Sequence, residues 1–322
     1  MKCLLLSAAL LLASVAAAIA QPGTSAYTTK LDDPRAIPLT GAAGDGKTDD
    51  SAAIQAAIDK AANDRGEGIV FIPQGRYRLT RTIYVWPSVR VIGWGARRPV
   101  FVLADNTPGF SSGIADMVFF AGAKPNPARA GRPLFRVPFA VPGTVPPNPD
   151  MPDANPGTFY SALSNIDFEI GKGDAGAVAI RFHGAQHDYL SHIDFHIGSG
   201  LAGLHQVANE AEDLRFFGGR YGILAEKPSP AWQFTLLDGK FEGQREAAIR
   251  EHEASLTLVN ASFRNVPVAI DIDPDSSDWL WVKNSRFENV SKAAVIVSNE
   301  NSVYTQIGFE NAVAAGTPVF AR

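Results

Sequence analysis

Residues 241–287 read FEGQREAAIREHEASLTLVNASFRNVPVAIDIDPDSSDWLWVKNSRF, and the phenylalanines at 241, 263 and 287 set the period of the chain. The same beat runs outward in both directions. The segments NIDF, HIDF, LRFF, DGKF, NASF, NSRF and QIGF end on Phe168, Phe195, Phe217, Phe241, Phe263, Phe287 and Phe309. Their spacings are 27, 22, 24, 22, 24 and 22 residues. Self-similarity with a period of ~20–50 residues marks a repeat architecture. Three positions before each Phe the column reads Asn165, His192, Leu214, Asp238, Asn260, Asn284 and Gln306. Most of these side chains bond readily to backbone, as turn residues do.

Between the phenylalanines lie short runs of alternating apolar residues: AVAIRF, YGILAE, AAIREH, VAIDID and AAVIVS. A coil of two or three short strands with no helical period is a rung of a parallel β-helix. Each rung stacks its Phe on the next, about 4.8 Å away. Leucine-rich repeats share the period, but their leucine and asparagine spacing is absent. A β-sandwich would need the spacing to be fortuitous.

The beginning of the chain has another texture. Met1-Lys2 and the apolar LLLSAALLLASVAAAIA, with Ala18 and Ala20 before Gln21, form a secretory signal over residues 1–20. The only cysteine, Cys3, lies inside it, so the secreted chain has no disulfide and must rely on a large core. With 46% hydrophobic and 19% charged residues the composition permits one. The net charge of −4 is mild and no basic run is present, which argues against nucleic acid or a membrane surface as partner.

Residues 21–122 are expected to hold the cap and first coils, and residues 157–322 the remaining coils. Between them residues 123–156 carry ten of the 22 prolines, a composition that reads as a surface excursion. Near the start, GAAGDGKTDD (41–50) matches a phosphate-binding loop letter for letter. It is followed by a helical face of Ile54, Ala57, Ile58 and Ala61. However, Asp45, Asp49 and Asp50 crowd the place where an anion would sit, and no apolar strand ending in Asp follows to hold magnesium. These acidic residues are expected to cap the helix, with Thr48 or Asp49 at the N-cap.

GDGKTDDSAAIQAAIDKA, GIVFIPQGRYRLTRTIYV and VRVIGWG resemble the N-terminal region of the pectate-lyase-superfamily (rhamnogalacturonase/epimerase-like) β-helix proteins. The likeness is close over residues 36–95. It implies an all-β solenoid, a right-handed single-stranded parallel β-helix with an N-terminal α-helical cap. FYSALSNIDFEI to RFFGGRYGIL further resembles the N-terminal β-helix of exo-β-1,3-glucanases, which carry two such helices in tandem. The resemblance implies secreted proteins that act on or bind polysaccharide. It leaves open a glycoside hydrolase, a polysaccharide lyase and a non-catalytic glycan-binding or adhesin helix. The final GTPVFAR resembles the middle of a coil, which raises the expectation of a second β-helix or another subunit.

Chemistry is expected on the strand after each Phe. With Ile180, Leu204, Ile223, Ile249, Ile270 and Ile296 aligned inward, alternation sends two columns outward. One reads Arg181, His205, Leu224, Arg250, Asp271, Val297 and the other His183, Val207, Glu226, His252, Asp273, Asn299. Glu226 and Asp273 lie two rungs apart, about 9.6 Å between backbones, compatible with an inverting carboxylate pair at ~6.5–9.5 Å. Glu226, Asp273 and Asp271 are therefore the catalytic candidates. His183, His205, Arg250 and His252 are candidates for substrate binding, although outward residues of any solvated β-helix are polar. In SSDWLWVKN, Trp279 and Trp281 alternate with inward Leu280 and Val282 and suit sugar stacking. The pairs His183/His187 and His192/His196 lie in strands and turns, where residues four apart do not converge on a metal. No cofactor is expected, but DIDPDSSD (Asp271, Asp273, Asp275, Asp278) has the oxygen donors calcium takes.

Overall fold

A computed structural model describes residues 23–65, 68–124, 151–152, 154, 158–207, 209–226, 233–252, 254–272, 279–297, 303 and 305–322. The expected signal segment, most of the proline-rich stretch, and Asp273, Asp275, Asp278 and Asn299 lie outside them.

Among the described residues the strands form two parallel sheets, one of eight strands and one of eighteen. The eight-stranded sheet stacks one strand from each coil: Ile83–Val85, Ala115–Phe120, Ala177–Arg181, Ala202–His205, Tyr221–Glu226, Ala247–His252, Val268–Ile272 and Ala293–Ile296. The eighteen-stranded sheet takes the other two strands of each coil and bends between them. Parallel pairing of successive coils, with sequence-distant strands always neighbours, is a β-solenoid. Its pairing runs straight across the proline-rich stretch: Ile180 lies opposite Val118 and Leu163 opposite Val91. The described coils on either side of residues 125–150 are thus paired as one solenoid.

The phenylalanine column exists, with two corrections: Phe217 and Phe309 are not in it, and Ala314 lies opposite Phe287. Phe168, Phe195, Phe216, Phe241, Phe263 and Phe287 are all buried, and successive ring centroids stand 5.6, 4.8, 4.6, 4.9 and 5.0 Å apart. Phe216, not Phe217, fills the slot. In LRFF both residues fit the tetrapeptide, and the second one turns outward to stack on His196 at 5.0 Å. Shifting that register by one also replaces Leu214 by Asp213 in the turn column. The column then reads Asn165, His192, Asp213, Asp238, Asn260, Asn284 and Asn311, all with φ between 47° and 60°. Asn, Asp and His tolerate this left-handed conformation best among residues with a Cβ. Side chains bond along the column, as from Asn260 Nδ2 to Asp238 Oδ1 (3.1 Å) and from Asn311 Nδ2 to Asn284 Oδ1 (3.1 Å).

Facing the rings is a column of small residues: Ala179, Gly203, Gly222, Ala248, Ala269 and Ala294. A Cβ on Gly203 would stand 2.6 Å from the Phe216 ring, and one on Gly222 2.7 Å from Phe241. Both therefore need to be glycine. Each is followed by a second inward residue, Leu204 or Ile223, so strict alternation fails in the eight-stranded sheet. In the last coil Val295, not Ile296, lies opposite Ile270.

Helix α1 (Ser51–Arg65) closes the N-terminal end, burying Ile54, Ala57, Ile58 and Ala61 in the main core. The loop before it is not a phosphate cradle. Asp50 accepts the amides of Ala43 (2.6 Å) and Gly44 (3.1 Å), and Asp45 those of Lys47 and Thr48 (both 2.8 Å). The chain's own carboxylates occupy the donors an anion would need. Asp50 is the residue before the helix and its carbonyl receives the Ile54 amide. Asp49 holds the first turn through the Ser51 amide (3.0 Å) and hydroxyl (2.6 Å). The N-cap therefore sits one or two residues later than the sequence suggests.

Candidate functional site

The outer face of the eight-stranded sheet carries the ionisable column the sequence points to, and the pairing confirms its order. Arg181 lies opposite His205, His205 opposite Leu224, Leu224 opposite Arg250, and Arg250 opposite Asp271. Val297 does not continue the column, because Ile296 takes that position.

Its two halves differ in access. In the N-terminal half, Arg181 Nη1 approaches His205 Nδ1 at 3.3 Å and His205 Nδ1 stands 3.6 Å from Asp116 Oδ1. All three residues are at most 3% exposed, and His183 is fully buried. His183 and His205, expected on a solvated face, are thus sealed. Burial is also the main reason His205 loses its proton more readily than an ordinary histidine. Apolar neighbours complete the seal, with Ile114, Val178, Ala202, Leu224 and Val268 forming a second cluster on this face.

The C-terminal half is open. Arg250 Nη1 and Asp271 Oδ2 form an ion pair at 2.9 Å, with both side chains part-exposed. Beside them Tyr221 donates its hydroxyl to Glu246 Oε2 at 2.6 Å, and Arg220 Nε holds Glu246 Oε1 at 2.7 Å. The Arg220 guanidinium also lies over the Tyr221 ring, 5.2 Å from its centroid. Burial raises Glu246, but the bonds from Arg220 and Tyr221 outweigh it and hold the carboxyl below its usual range. Burial, then the bond to Glu246, pushes the Tyr221 phenol up to about 12. A carboxylate that stays ionised and a phenol that stays protonated are in contact. Alternation from Ile223 sends Tyr221 inward, so the sequence reading missed it. The double inward turn at Gly222 and Ile223 brings it back to the outer face. The pair GR at 219–220, before YGIL, was the available signal.

The remaining candidates spread further. Glu226 ends its strand opposite His252, two rungs from the strand bearing Asp271. Trp279 and Trp281 are 39% and 40% exposed with Leu280 and Val282 buried between them. They belong to the eighteen-stranded sheet, whereas Glu226 and Asp271 lie on strands of the eight-stranded sheet. Of the acidic run considered for calcium only Asp271 is described, and its carboxylate is engaged by Arg250.

A second ionic cluster lies on the eighteen-stranded sheet. Arg98, 2% exposed, reaches Asp167 (3.1 Å), Asp194 (3.0 Å) and Asp213 (3.3 Å). The N-terminal arm locks onto it. Gly23 donates its amide to Asp167 Oδ2 at 2.7 Å and Thr24 accepts from Arg98 Nε at 3.0 Å. Buried charge of this kind survives only when fully paired, and here it fastens the arm to the coils.

Comparison with known proteins fits this architecture. Residues 37–127 match the family described as rhamnogalacturonase A/epimerase, pectate lyase-like. The chain is 41% identical over 81 residues to an alginate lyase of Azotobacter vinelandii, covering 23% of this chain and 9% of that protein. It is 47% identical over 53 residues to a glucan 1,3-beta-glucosidase of Cochliobolus carbonum, covering 16% and 6%. The matched segments thus span less than a tenth of these relatives. The tailspike of Acinetobacter phage vB_ApiP_P1 superposes over 87% of this chain and 53% of its own, with a TM-score of 0.53 and 13% identity. Residues 37–127 thus resemble that family, and the described coils have the fold of a pectate-lyase-like, right-handed parallel β-helix.

Proposed function

We propose that this is a secreted polysaccharide-active enzyme, a glycoside hydrolase working at the open half of the eight-stranded sheet. The observation that carries the reading is Glu246, exposed and held by Arg220 and by the hydroxyl of the buried Tyr221, together with the part-exposed Arg250–Asp271 pair of the same sheet. Glycoside hydrolysis needs a proton donor and a carboxylate on opposite sides of the scissile bond. Asp271, in contact with Arg250, suits the carboxylate that activates water. Glu226, two rungs away, is the proton donor, with Asp273 the alternative partner for it. Tyr221 and Arg220 fix Glu246, which binds sugar hydroxyls. Reducing-sugar release from a panel of glucans, polygalacturonate and alginate, with and without calcium, tests the activity. Glu226→Gln and Asp271→Asn are each expected to abolish turnover without changing the melting temperature. Full activity in either variant removes that residue from the mechanism, and unsaturated products in place of reducing ends make the enzyme a lyase.

One observation favours a second reading, a non-catalytic glycan-binding solenoid. Arg181, His205 and Asp116 are sealed, so half of the ionisable column cannot reach a substrate. Saturable glycan binding with no product from any polymer selects this reading.

A further inference from the structure

The eighteen-stranded sheet presents a groove, whereas Asp271 lies on a strand of the eight-stranded sheet. Tyr189, Ser191, Glu210, Glu212, Thr235 and Leu237 line an open depression of ≈ 390 Å³. Its residues come from three successive coils in register: Tyr189 opposite Glu210, Glu210 opposite Thr235, and Ser191 opposite Glu212, which is opposite Leu237. The first column continues through Thr257 to Trp281. Tyr189 and Trp281 thus stand four rungs apart on one line, about 19 Å at the usual strand spacing. Between them the line presents only a carboxylate and hydroxyls.

Three of the large apolar side chains exposed on the described surface, Leu237, Trp279 and Trp281, sit on this face. The Trp281 ring lies flat over the next coil, where a Cβ on Gly308 would stand 2.2 Å from it. That glycine gives the indole a seat while leaving it 40% exposed. Rings that expose a face along a row of hydroxyl and carboxylate acceptors match a sugar chain, whose apolar ring faces stack and whose hydroxyls donate. Charge narrows the class. The lining holds two carboxylates, Glu210 and Glu212, and no Lys or Arg. Two cations flank the line: Arg90, in the same column as Tyr189 through Ala162, stands beyond the Tyr189 end, and Lys283, in the column of Glu212 and Leu237, stands at the Trp281 end with its ammonium held by Glu310 at 3.0 Å. A uronate polymer would bring a negative charge on every residue against this surface, and like charges set face to face cost binding energy.

We infer that this groove is a second glycan-binding site, distinct from the proposed catalytic face, and that it takes a neutral glycan chain rather than a uronan. The site rests on the reading of the chain as a glycan-active solenoid and adds to it an anchoring surface that holds polymer without cleaving it.

Tryptophan fluorescence titration with a β-1,3-gluco-oligosaccharide and an oligomannuronate of equal length tests the inference on the full chain. The neutral probe is expected to shift emission saturably and the uronate to neither bind nor compete. Trp281→Ala should weaken binding about tenfold or more, and Glu210→Lys with Glu212→Lys should turn the preference toward the uronate. If Trp281→Ala unfolds, Leu237→Arg at a part-exposed position in the groove lining reports the same loss. Glu226→Gln, on the other sheet, should leave this binding unchanged. Binding lost only in Glu226→Gln, or a uronate that binds more tightly than the glucan, overturns the inference. Turnover is read separately, so an inactive enzyme whose binding still depends on Trp281 sinks the catalytic reading and spares the groove.

Discussion

From Phe195 to Phe287 the rings lie flat on one another, with interplanar angles of 6° to 8° and no exposure above 1%. One coil later the slot opposite Phe287 holds Ala314, and Phe309 lies opposite Val282 instead. Phe320 turns edge-on to Phe287 at 85° and is 36% exposed. The two regions share a sequence rhythm yet differ in what surrounds each ring. An interior ring is stacked flat between the rings of two adjacent coils, whereas Phe320 meets Phe287 and Phe309 only edge-on and is part-exposed. Stacking in a solenoid is a nearest-neighbour property. The same residue type therefore contributes differently by position.

Truncating a ring in the interior gives the largest expected effect. Phe263→Ala removes a fully buried side chain between Phe241 and Phe287 and should cost ~3–5 kcal/mol, read from chemical denaturation. A variant that melts like the parent would break the comparison, because the interior slot would then be no tighter than the end.

The interior coils also hold a buried carboxyl group. Asp188 is 1% exposed, its Oδ1 accepts the Ser161 amide at 2.7 Å, and its Oδ2 has no partner. Burial pushes its pKa up to about 7 from 3.8. The folded-state value is raised, so its stability contribution is complete below about pH 4 and is lost as pH rises toward 7. Asp188→Asn does not titrate. The stability of that variant relative to the parent should climb by a few kcal/mol between these pH values and then level off. A difference that stays constant with pH would mean the carboxyl is ionised in the fold. At the other end of the scale, Phe320→Ala should cost only about 1–2 kcal/mol, as expected of a part-buried ring. A loss equal to that of Phe263→Ala would show the last coil to be packed like the rest.

How much of this was legible follows from the same contrast. The period, most of the turn residues and the inward residues from Ile180 to Ile270 could be read because each coil repeats one geometry and the pattern averages over many coils. Phe217 was misplaced because LRFF offers two rings and only the register of the turn at Asp213 decides between them. Phe309 was misplaced because QIGF falls in the strand opposite Trp279–Lys283, ahead of the strand in which Ala314 takes the slot opposite Phe287. The open site was half legible. Arg250 and Asp271 follow from counting, and their ion pair bears out the register. Tyr221 and Glu246 do not follow, because two successive inward residues defeat the two-residue period on which the counting rests. Burial of His205 and His183 depends on what covers the sheet, which no local pattern encodes.

The smallest expected effects concern the stretch at 41–50, at the capped end of the solenoid. Asp49 sits where burial would raise its pKa, yet bonds from Ser51 and Thr80 hold it below the usual carboxylate range. Asp49→Ala should therefore cost about 1 kcal/mol for the lost bonds to Ser51 and Thr80. Lys47 shows the limiting case. In a phosphate-binding loop this lysine would be the residue most sensitive to substitution. Here its amide is bound to Asp45 and its carbonyl accepts from Arg78 Nη1 at 3.0 Å, so the backbone has a fixed role and the ammonium has none. Lys47→Ala should leave melting temperature, glycan binding and turnover unchanged. A ligand that binds only the folded chain raises its melting temperature by mass action, so millimolar ATP should give no shift with either protein. A shift with the parent that disappears in Lys47→Ala would mean that Asp45 and Asp50 release their amides to a phosphate, and the loop would have to be reassigned.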